Sequence, residues 1–562
     1  MKRAIFFTIA VLALTFASTA NADSIGQERR FYIESSYDSQ ARSELMAVLI
    51  NITPQLYIYV DKGWWDSAPR EEVNKKMAEV SSEFSSRIYP TVVSVFGSEW
   101  NPGIDNDEKI TVLFHPMNGE AGGYFRSNDE YLKLQISDSN EREMFYVDTS
   151  LMQSEMLKSF FAHEFVHLVT FNQKEHKQGI SEDNWLDEAR AEYAPTMLGY
   201  DDVFSGSYLE RRVQDFSDKP TGSLVDTQNT KYDYARINLF VHYLVDYYGQ
   251  NILSDSLKSA YVGVDSINYA LKKGGFNKDF MQIFSDWTIA VLVDDCNYGS
   301  KYCYLNSNLS DLNILPQVNY LPVSGESTLT FAESTKNWSA NWYKIIGGGS
   351  GLLKFNFVGD PKAIFKVYYI TKNRAGSYKI GTMQLNASQK GGVQINNSDN
   401  SISSLFIVSH LIVGQGYADK ASHDFSWSVS MSRVASGNDL NEIKRLQAII
   451  EDLKQKIAII LAQRSGGLVV NNDYCASISG DLYIGMSGDN IRCLQLFLKG
   501  QGSDIYPEGF VTGNFASLTQ QAVIRFQEKY AAEILTPLGM QKGSGYVGTQ
   551  TRLKINQILS KR

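Results

Sequence analysis

SFFAHEFVHLVTF, residues 159 to 171, sets two histidines and a glutamate into an otherwise apolar run. On an α-helix, positions i and i+4 share a face about one turn apart, so the imidazoles of His163 and His167 converge on one point with Glu164 beside them. Two neutral imidazoles at that spacing suit a zinc ion, and the adjacent glutamate suits removal of a proton from a metal-bound water. Phe160, Phe161, Phe165, Val166 and Leu168 would anchor the same helix in a core. The competing reading is a buried helix with two satisfied histidines. With seven histidines in 562 residues, a chance H-E-x-x-H is rare, and the metal reading is preferred.

A catalytic zinc site takes three protein ligands and leaves one position open. Thr170 and Gln173 stand where H-E-x-x-H-x-x-G-x-x-H needs glycine and histidine, and the spacing of His176 fits no ligand arrangement. NWLDEARAEY, residues 184 to 193, reads instead as a second helix that presents Glu188 to the metal. Glu192, one turn on, is expected to accept a hydrogen bond from a ligand histidine, and Asp187 to point to another face. Trp185, Leu186 and Ala189 give this helix a buried side, against the alternative of a solvated acidic helix.

HEFVH followed by WLDEARAEY resembles the gluzincin clan of zinc peptidases, most closely the hyicolysin-type secreted bacterial enzymes. FGSEWNPGIDNDEKITVLF, GGYFRSNDEY and NEREMFYVD extend the resemblance over roughly residues 30 to 290. Ala189 departs from the glycine usual in the clan, and the G-x-M-E-N signature of the related aminopeptidases is absent, which disfavours exopeptidase action. The resemblance implies an α+β zincin-like domain, Zn2+ held by His163, His167 and Glu188, and Glu164 as general base. It also implies a tyrosine donor to the developing oxyanion: Tyr234 in YDYARINLFVHYLVDYYG stands at the corresponding place, with Tyr232 and His242 as rivals.

The rest of the chain sets the context. A basic start at Lys2 and Arg3, an apolar run and Ala20-Asn21-Ala22 predict a secretory signal peptide over 1–22, cut before Asp23. No later run is long and apolar enough for a membrane span, so a secreted, extracellular or wall-associated protein without an integral membrane segment is expected. A net charge of -9 gives nucleic acid no support as a partner. Cys296 with Cys303, and Cys475 with Cys493, are local pairs in a secreted chain and read as disulfides.

Residues 23–320 are expected to form the peptidase domain, with an α+β part at 23–150 and a helical catalytic part at 151–320. AGGYF, just before the zinc helix, is a candidate edge strand for an extended substrate, and DNDEK at 105 to 109 invites a calcium reading that common Asp- and Asn-rich turns also explain. Short β-branched and aromatic runs broken by Gly, Ser and Asn predict a β-sandwich over 321–434. Ile443, Ile450 and Ile457 with Leu446, Leu453 and Ile460 trace heptads within a short coiled-coil segment, 438–464, so a homodimer through residues 443–460 and a monomeric helical spacer are both open. A linker follows at 465–474.

Residues 475–562 repeat a Gly-marked turn followed by a helix. LYIGMSGDNIRCLQLFL and GFVTGNFASLTQQAVIRFQ resemble the bacterial peptidoglycan-binding domain, a small helical module, which implies retention at the cell wall. The combined expectation is a secreted zinc endopeptidase acting on protein or peptide substrates and held on peptidoglycan. The alternatives are a zinc peptidase acting on peptidoglycan stem peptides, or a non-catalytic wall-bound adhesion or scaffold protein with a vestigial peptidase fold.

Overall fold

The computed structural model describes residues 23–119, 122–310, 312, 314–322, 327–413, 421–432, 449–450, 453, 475 and 477–561. The expected signal peptide, the linker and nearly all of the heptad segment lie outside the described residues. The chain divides into two compact units, residues 1–443 and 444–562. It is a multidomain protein of helices with mixed and antiparallel sheets.

The first unit begins with a six-stranded sheet. Its strands are β1 (Glu28–Tyr32), β2 (Glu44–Ile52), β3 (Leu56–Asp61), β4 (Ile110–His115), β5 (Gly123–Phe125) and β6 (Met144–Asp148), in the order β1-β2-β3-β4-β6-β5. β3, β4 and β6 run parallel, and β5 turns back antiparallel to β6 at the edge. Every residue of β3, β4 and β6 is buried, as central parallel strands require, because helices cover one face and a second apolar cluster the other. Asp23 is tied into this sheet by the Tyr59 hydroxyl at 2.8 Å, Arg29 at 3.0 Å and Arg142 at 2.7 Å. The segment from Asp23 through β3 is thus part of the sheet itself; removing it would strip three strands from the layer that supports the site.

Helices α1 (Lys62–Trp65), α2 (Arg70–Glu83) and α3 (Tyr89–Phe96) bridge β3 and β4, and then α4 (Leu157–Phe171) crosses behind the sheet. From Leu157 to Phe171 every α4 residue but Lys158 is buried, which explains why its sequence shows no polar face. Phe161 packs on Phe145, Phe114 and Phe84, with ring centroids 5.4 to 6.4 Å apart. Burying one such side chain contributes about 2 to 3 kcal/mol. A π-helical turn, Asn172–His176, ends α4, where the Asn172 amide donates to the carbonyls of Ser98 and Glu99.

The helical layer continues through α5 (Asn184–Met197), α6 (Tyr208–Asp218), α7 (Lys231–Tyr248), α8 (Asn251–Leu257), α9 (Gly263–Lys273) and α10 (Phe280–Val293). Thr230 with Asp233, and Asp279 with Gln282, form reciprocal capping boxes that fix the starts of α7 and α10. The Cys296–Cys303 disulfide closes the turn after α10.

Two sheets follow. One is four-stranded in the order β13-β10-β15-β8, and the other five-stranded in the order β12-β11-β14-β9-β7. The strands are β7 (Gln317–Leu321), β8 (Ser327–Lys336), β9 (Ala340–Gly347), β10 (Gly351–Gly359), β11 (Ile364–Asn373), β12 (Tyr378–Met383), β13 (Lys390–Asn397), β14 (Ile402–Val413) and β15 (Ser422–Ser432). Phe355, Phe357, Ile407, Trp427 and Val429 fill the space between the sheets. The opposite face of the five-stranded sheet is also buried: Trp342, Tyr368, Phe406, Val408 and Ile412 join the same apolar cluster as Phe284 and Trp287 of α10. That double burial accounts for the nearly unbroken apolar text of β14. Trp338 sits edge-on to Phe280 at 4.8 Å and Phe284 at 5.4 Å, and the Trp342 indole donates to the Thr288 carbonyl at 2.8 Å.

The second unit contains the helices Asp489–Lys499, Ser517–Lys529 and Thr549–Leu559 around Leu494, Phe497, Leu498, Val523, Phe526 and Ile555. Its turn-and-helix plan repeats atom for atom. The Gln495 amide donates to Thr519 and accepts from Gly513 N, while that of Gln527 donates to Thr551 and accepts from Gly545 N. Each partner in the second set follows its counterpart by 32 positions. The Cys475–Cys493 disulfide ties the first of these helices to the segment before it.

Candidate metal centre

α4 presents His163 and His167 one turn apart, and α5, packed against it, brings Glu188 between them. Glu188 Oε2 lies 3.3 Å from His163 Nε2 and 3.6 Å from His167 Nε2. Ligands at 2.0 to 2.1 Å around a tetrahedral ion stand about 3.3 Å apart, so the donor set matches such an ion in spacing and in chemistry. Glu188 Oε2 is buried and has no hydrogen-bond partner, as expected of a ligand atom. Among the described residues this is the group of three His, Cys, Asp or Glu side chains whose donor atoms come within metal-binding range.

The three donors open into a cavity of about 350 Å³ that also receives Glu164, Tyr37 and Tyr234. Burial pushes the Glu164 carboxyl up to about 7, with the two histidines opposing and Glu188 and Asp187 adding to the rise. One Glu164 oxygen has no partner. β5 runs along the cavity, and Gly123 at its start with Gly122 just before it permits the close approach. A Cβ on Gly123 would lie 2.7 Å from a Glu164 oxygen, and one on Gly122 would lie 2.3 Å from the Phe160 ring.

Behind the donors the arrangement departs from the sequence expectation. Asp187 does not point away: its Oδ2 meets His167 Nδ1 at 2.8 Å. Against the upward push of burial, the His167 charge holds the Asp187 carboxyl below its usual range. Glu192 lies 3.7 Å from His163 Nδ1, too far for a hydrogen bond. Its oxygens accept instead from Arg212 at 2.6 and 2.8 Å, from the Tyr208 hydroxyl at 2.7 Å and from the Asn238 amide at 3.1 Å. Burial alone would raise Glu192; the Arg212 guanidinium reverses it. The helical period put Glu192 on the correct side of α5, but the arginine that claims it lies on α6 and leaves no motif.

Of the three candidate oxyanion donors, Tyr234 lines the cavity, its ring 5.2 Å from the Arg212 guanidinium. Burial, then the charges of Glu188, Tyr37 and Glu164, raise its hydroxyl pKa. Tyr232 lies against Lys219 and Lys231, and His242, on α7 itself, is buried with Nε2 3.2 Å from the Thr196 hydroxyl. Neither lines the cavity. Tyr37, from the loop after β1, enters opposite; burial raises its hydroxyl and the charges of Glu188 and Glu164 add to it. No pattern in the sequence marks Tyr37, Tyr208 or Arg212.

A stretch of 135 residues is 31% identical to the Neutral metalloprotease ShpI of Staphylococcus hyicus. This chain is related to a metallopeptidase. The likeness takes in 21% of the chain and spans 30% of the relative's length. No family model matches the chain. Among solved structures, the pre-peptidase C-terminal domain of a Bacillus anthracis collagenase aligns over 21% of this chain and 98% of its own, at 10% identity and a TM-score of 0.16. The GH115 4-O-methyl-α-glucuronidase BtGH115A covers 58% of this chain and 51% of its own, at 7% identity and a TM-score of 0.13. At these scores neither bears on fold or function. The His163, His167 and Glu188 side chains form a group that could hold a metal ion, and the relative is by name a metalloprotease.

Proposed function

We propose that this chain is a secreted zinc endopeptidase of the gluzincin type, retained on the cell wall by its C-terminal module. The observation that carries the reading is the convergence of His163, His167 and Glu188 on one point beside Glu164, in a cavity bordered by the β5 edge. Two imidazoles and one carboxylate suit a catalytic zinc, which leaves a coordination position for water. Bound there, zinc would supply a water of lowered pKa and polarise the scissile carbonyl.

The chain's own residues supply the rest. Glu164, buried and with a raised pKa, is suited to take a proton near neutrality and deliver it to the departing amine. The free edge of β5 can pair with an extended peptide, which holds a substrate across the donors without calling on a chain terminus. Tyr234 is placed to donate a hydrogen bond to the developing oxyanion. Asp187 fixes the His167 ring through Nδ1, leaving Nε2 toward the metal.

Wall retention is the reading for residues 475–562, supported by the 32-residue repeat and its paired glutamines, the features behind the likeness to peptidoglycan-binding modules. Pull-down on purified sacculi, with and without this segment, tests it; equal recovery would refute it.

The deciding experiment measures zinc content and casein hydrolysis of the mature chain beside Glu164→Gln, with a chelator control. About one zinc per chain in both, activity in the wild type alone, and loss on chelation are expected. A chain that binds no zinc, or a Glu164→Gln variant as active as wild type, would overturn the assignment.

A further inference from the structure

The cavity over the metal donors has two ends that differ in charge. Phe160 and Phe171 mark them, about 16 Å apart along α4. At the Phe171 end, the Phe125 ring lies 6.0 Å from Phe171 and 6.4 Å from His167, and Glu175 lines the cavity from the turn that closes α4. Glu175 accepts from the Tyr131 and Ser181 hydroxyls and has no cation partner among the described residues. At the Phe160 end, Phe160 packs edge-on to Tyr208 at 5.5 Å, and α6 and the start of α7 bring in Arg211, Arg212 and Lys231. An extended strand advances about 3.3 Å per residue, so a peptide laid from one end to the other fills the cavity with about five residues.

Most cations along this cavity are already engaged. Lys174 donates to the carbonyls of Ser256, Ser259 and Tyr261, Arg212 donates to both oxygens of Glu192, and Lys231 lies 3.0 Å from Asp215. Arg211 is only partly buried, and its guanidinium has no partner among the described residues. The carboxylates near it on α6 are taken: Glu210 accepts from Gly206 N at 2.7 Å, and Asp215 holds Lys231. A guanidinium is a planar fork of donors that matches the two oxygens of a carboxylate.

We infer that Arg211 is a specificity-determining residue, which receives a substrate carboxylate at the Phe160 and Tyr208 end of the cavity. The carboxylate belongs to an Asp or Glu side chain or to a nearby chain end. The inference rests on the peptidase reading of the same cavity. Glu175 gives the selection a direction, because an acidic residue at the Phe171 end meets like charge there. Favoured peptides therefore carry their acid on one side of the metal donors only.

The test uses the full mature chain loaded with zinc, in the Glu164→Gln background, so that binding is read without turnover. Short labelled peptides blocked at both ends place Glu or Gln at each position in turn, and a separate set has no acidic side chain but a free C-terminal carboxylate. Fluorescence anisotropy should show Glu binding about fivefold tighter than Gln at one position, a gain that shrinks as salt rises from about 0.05 to about 0.5 M. Arg211→Gln should erase the gain and Arg211→Lys keep part of it. Arg211→Glu should reverse the order, so that a Lys peptide binds tighter than its Glu counterpart, which loss of a merely structural arginine would not produce. An Arg211-dependent gain confined to the free-carboxylate set supports the inference with the chain end as the source. The absence of any gain from a carboxylate, or a gain that survives in Arg211→Gln, overturns it. A chain that shows the selectivity, yet with Glu164 restored cuts none of these peptides, supports the role of Arg211 and counts against the peptidase reading.

Discussion

Asp187 Oδ2 stands 2.8 Å from His167 Nδ1, and that contact turns the other ring nitrogen toward Glu188. An outer partner of this kind fixes tautomer and ring angle, and its loss typically costs about 10- to 100-fold in metal affinity. Asp187→Ala should weaken zinc binding by that factor in competition with a chelating indicator. Undiminished affinity would reduce the contact to packing.

Tyr234→Phe should lower kcat by about 100-fold, with zinc content and KM little changed, since the hydroxyl is needed where charge develops. Tyr232→Phe and His242→Gln should stay near wild type, because neither side chain lines the cavity. Steady-state kinetics on the three variants distinguishes the donors; a kcat loss confined to Tyr232→Phe would reassign the role.

Arg212 binds both oxygens of Glu192 beneath His163, with both side chains buried. Removing one member of a buried pair leaves the other charge uncompensated, at about 3 to 5 kcal/mol. Arg212→Ala should therefore lower Tm steeply, while Arg212→Ala with Glu192→Gln should recover part of the loss. Thermal unfolding of the single and double variants measures the coupling.

His410 is buried under the sandwich, with Nε2 3.0 Å from the Ser285 hydroxyl, and burial lowers it from 6.5 to about 3. The folded state thus binds fewer protons than the unfolded state between those values. Its contribution to stability is complete above about pH 6.5 and is lost as pH falls toward 3, amounting to about 2 kcal/mol at pH 5. His410→Gln should flatten the fall in Tm between pH 7 and pH 5; an unchanged slope would locate the acid sensitivity elsewhere.

The sequence resolved some of these features better than others, for physical reasons. A helix repeats every 3.6 residues whatever surrounds it, so the facing of His163 on His167 was legible, as was Glu188 on the second helix. Asp187 was misplaced because its direction depends on how α5 crosses α4, which no single-helix pattern encodes. Tyr37, Tyr208 and Arg212 reach the site from a loop and from α6, and isolated residues at long range carry no periodic signal. The sandwich strands were legible from their short β-branched and aromatic runs broken by Gly, Ser and Asn. The burial of β14 on both faces was written in its apolar run, but the text did not say that α10 was the second surface. β7, at Gln317–Leu321, also joins the sandwich sheet ahead of the boundary that composition suggested.

The apolar cluster shared by α10 and the five-stranded sheet removes the option of treating the sandwich as an exchangeable cassette. A chain ending near residue 320 would bare the α10 surface that Trp338, Trp342, Phe406 and Ile412 now cover, and would be expected to clump rather than persist as a smaller folded protein. Recombination that swapped this sandwich for another would have to carry α10's complementary surface with it, so the two parts are bound to be inherited together.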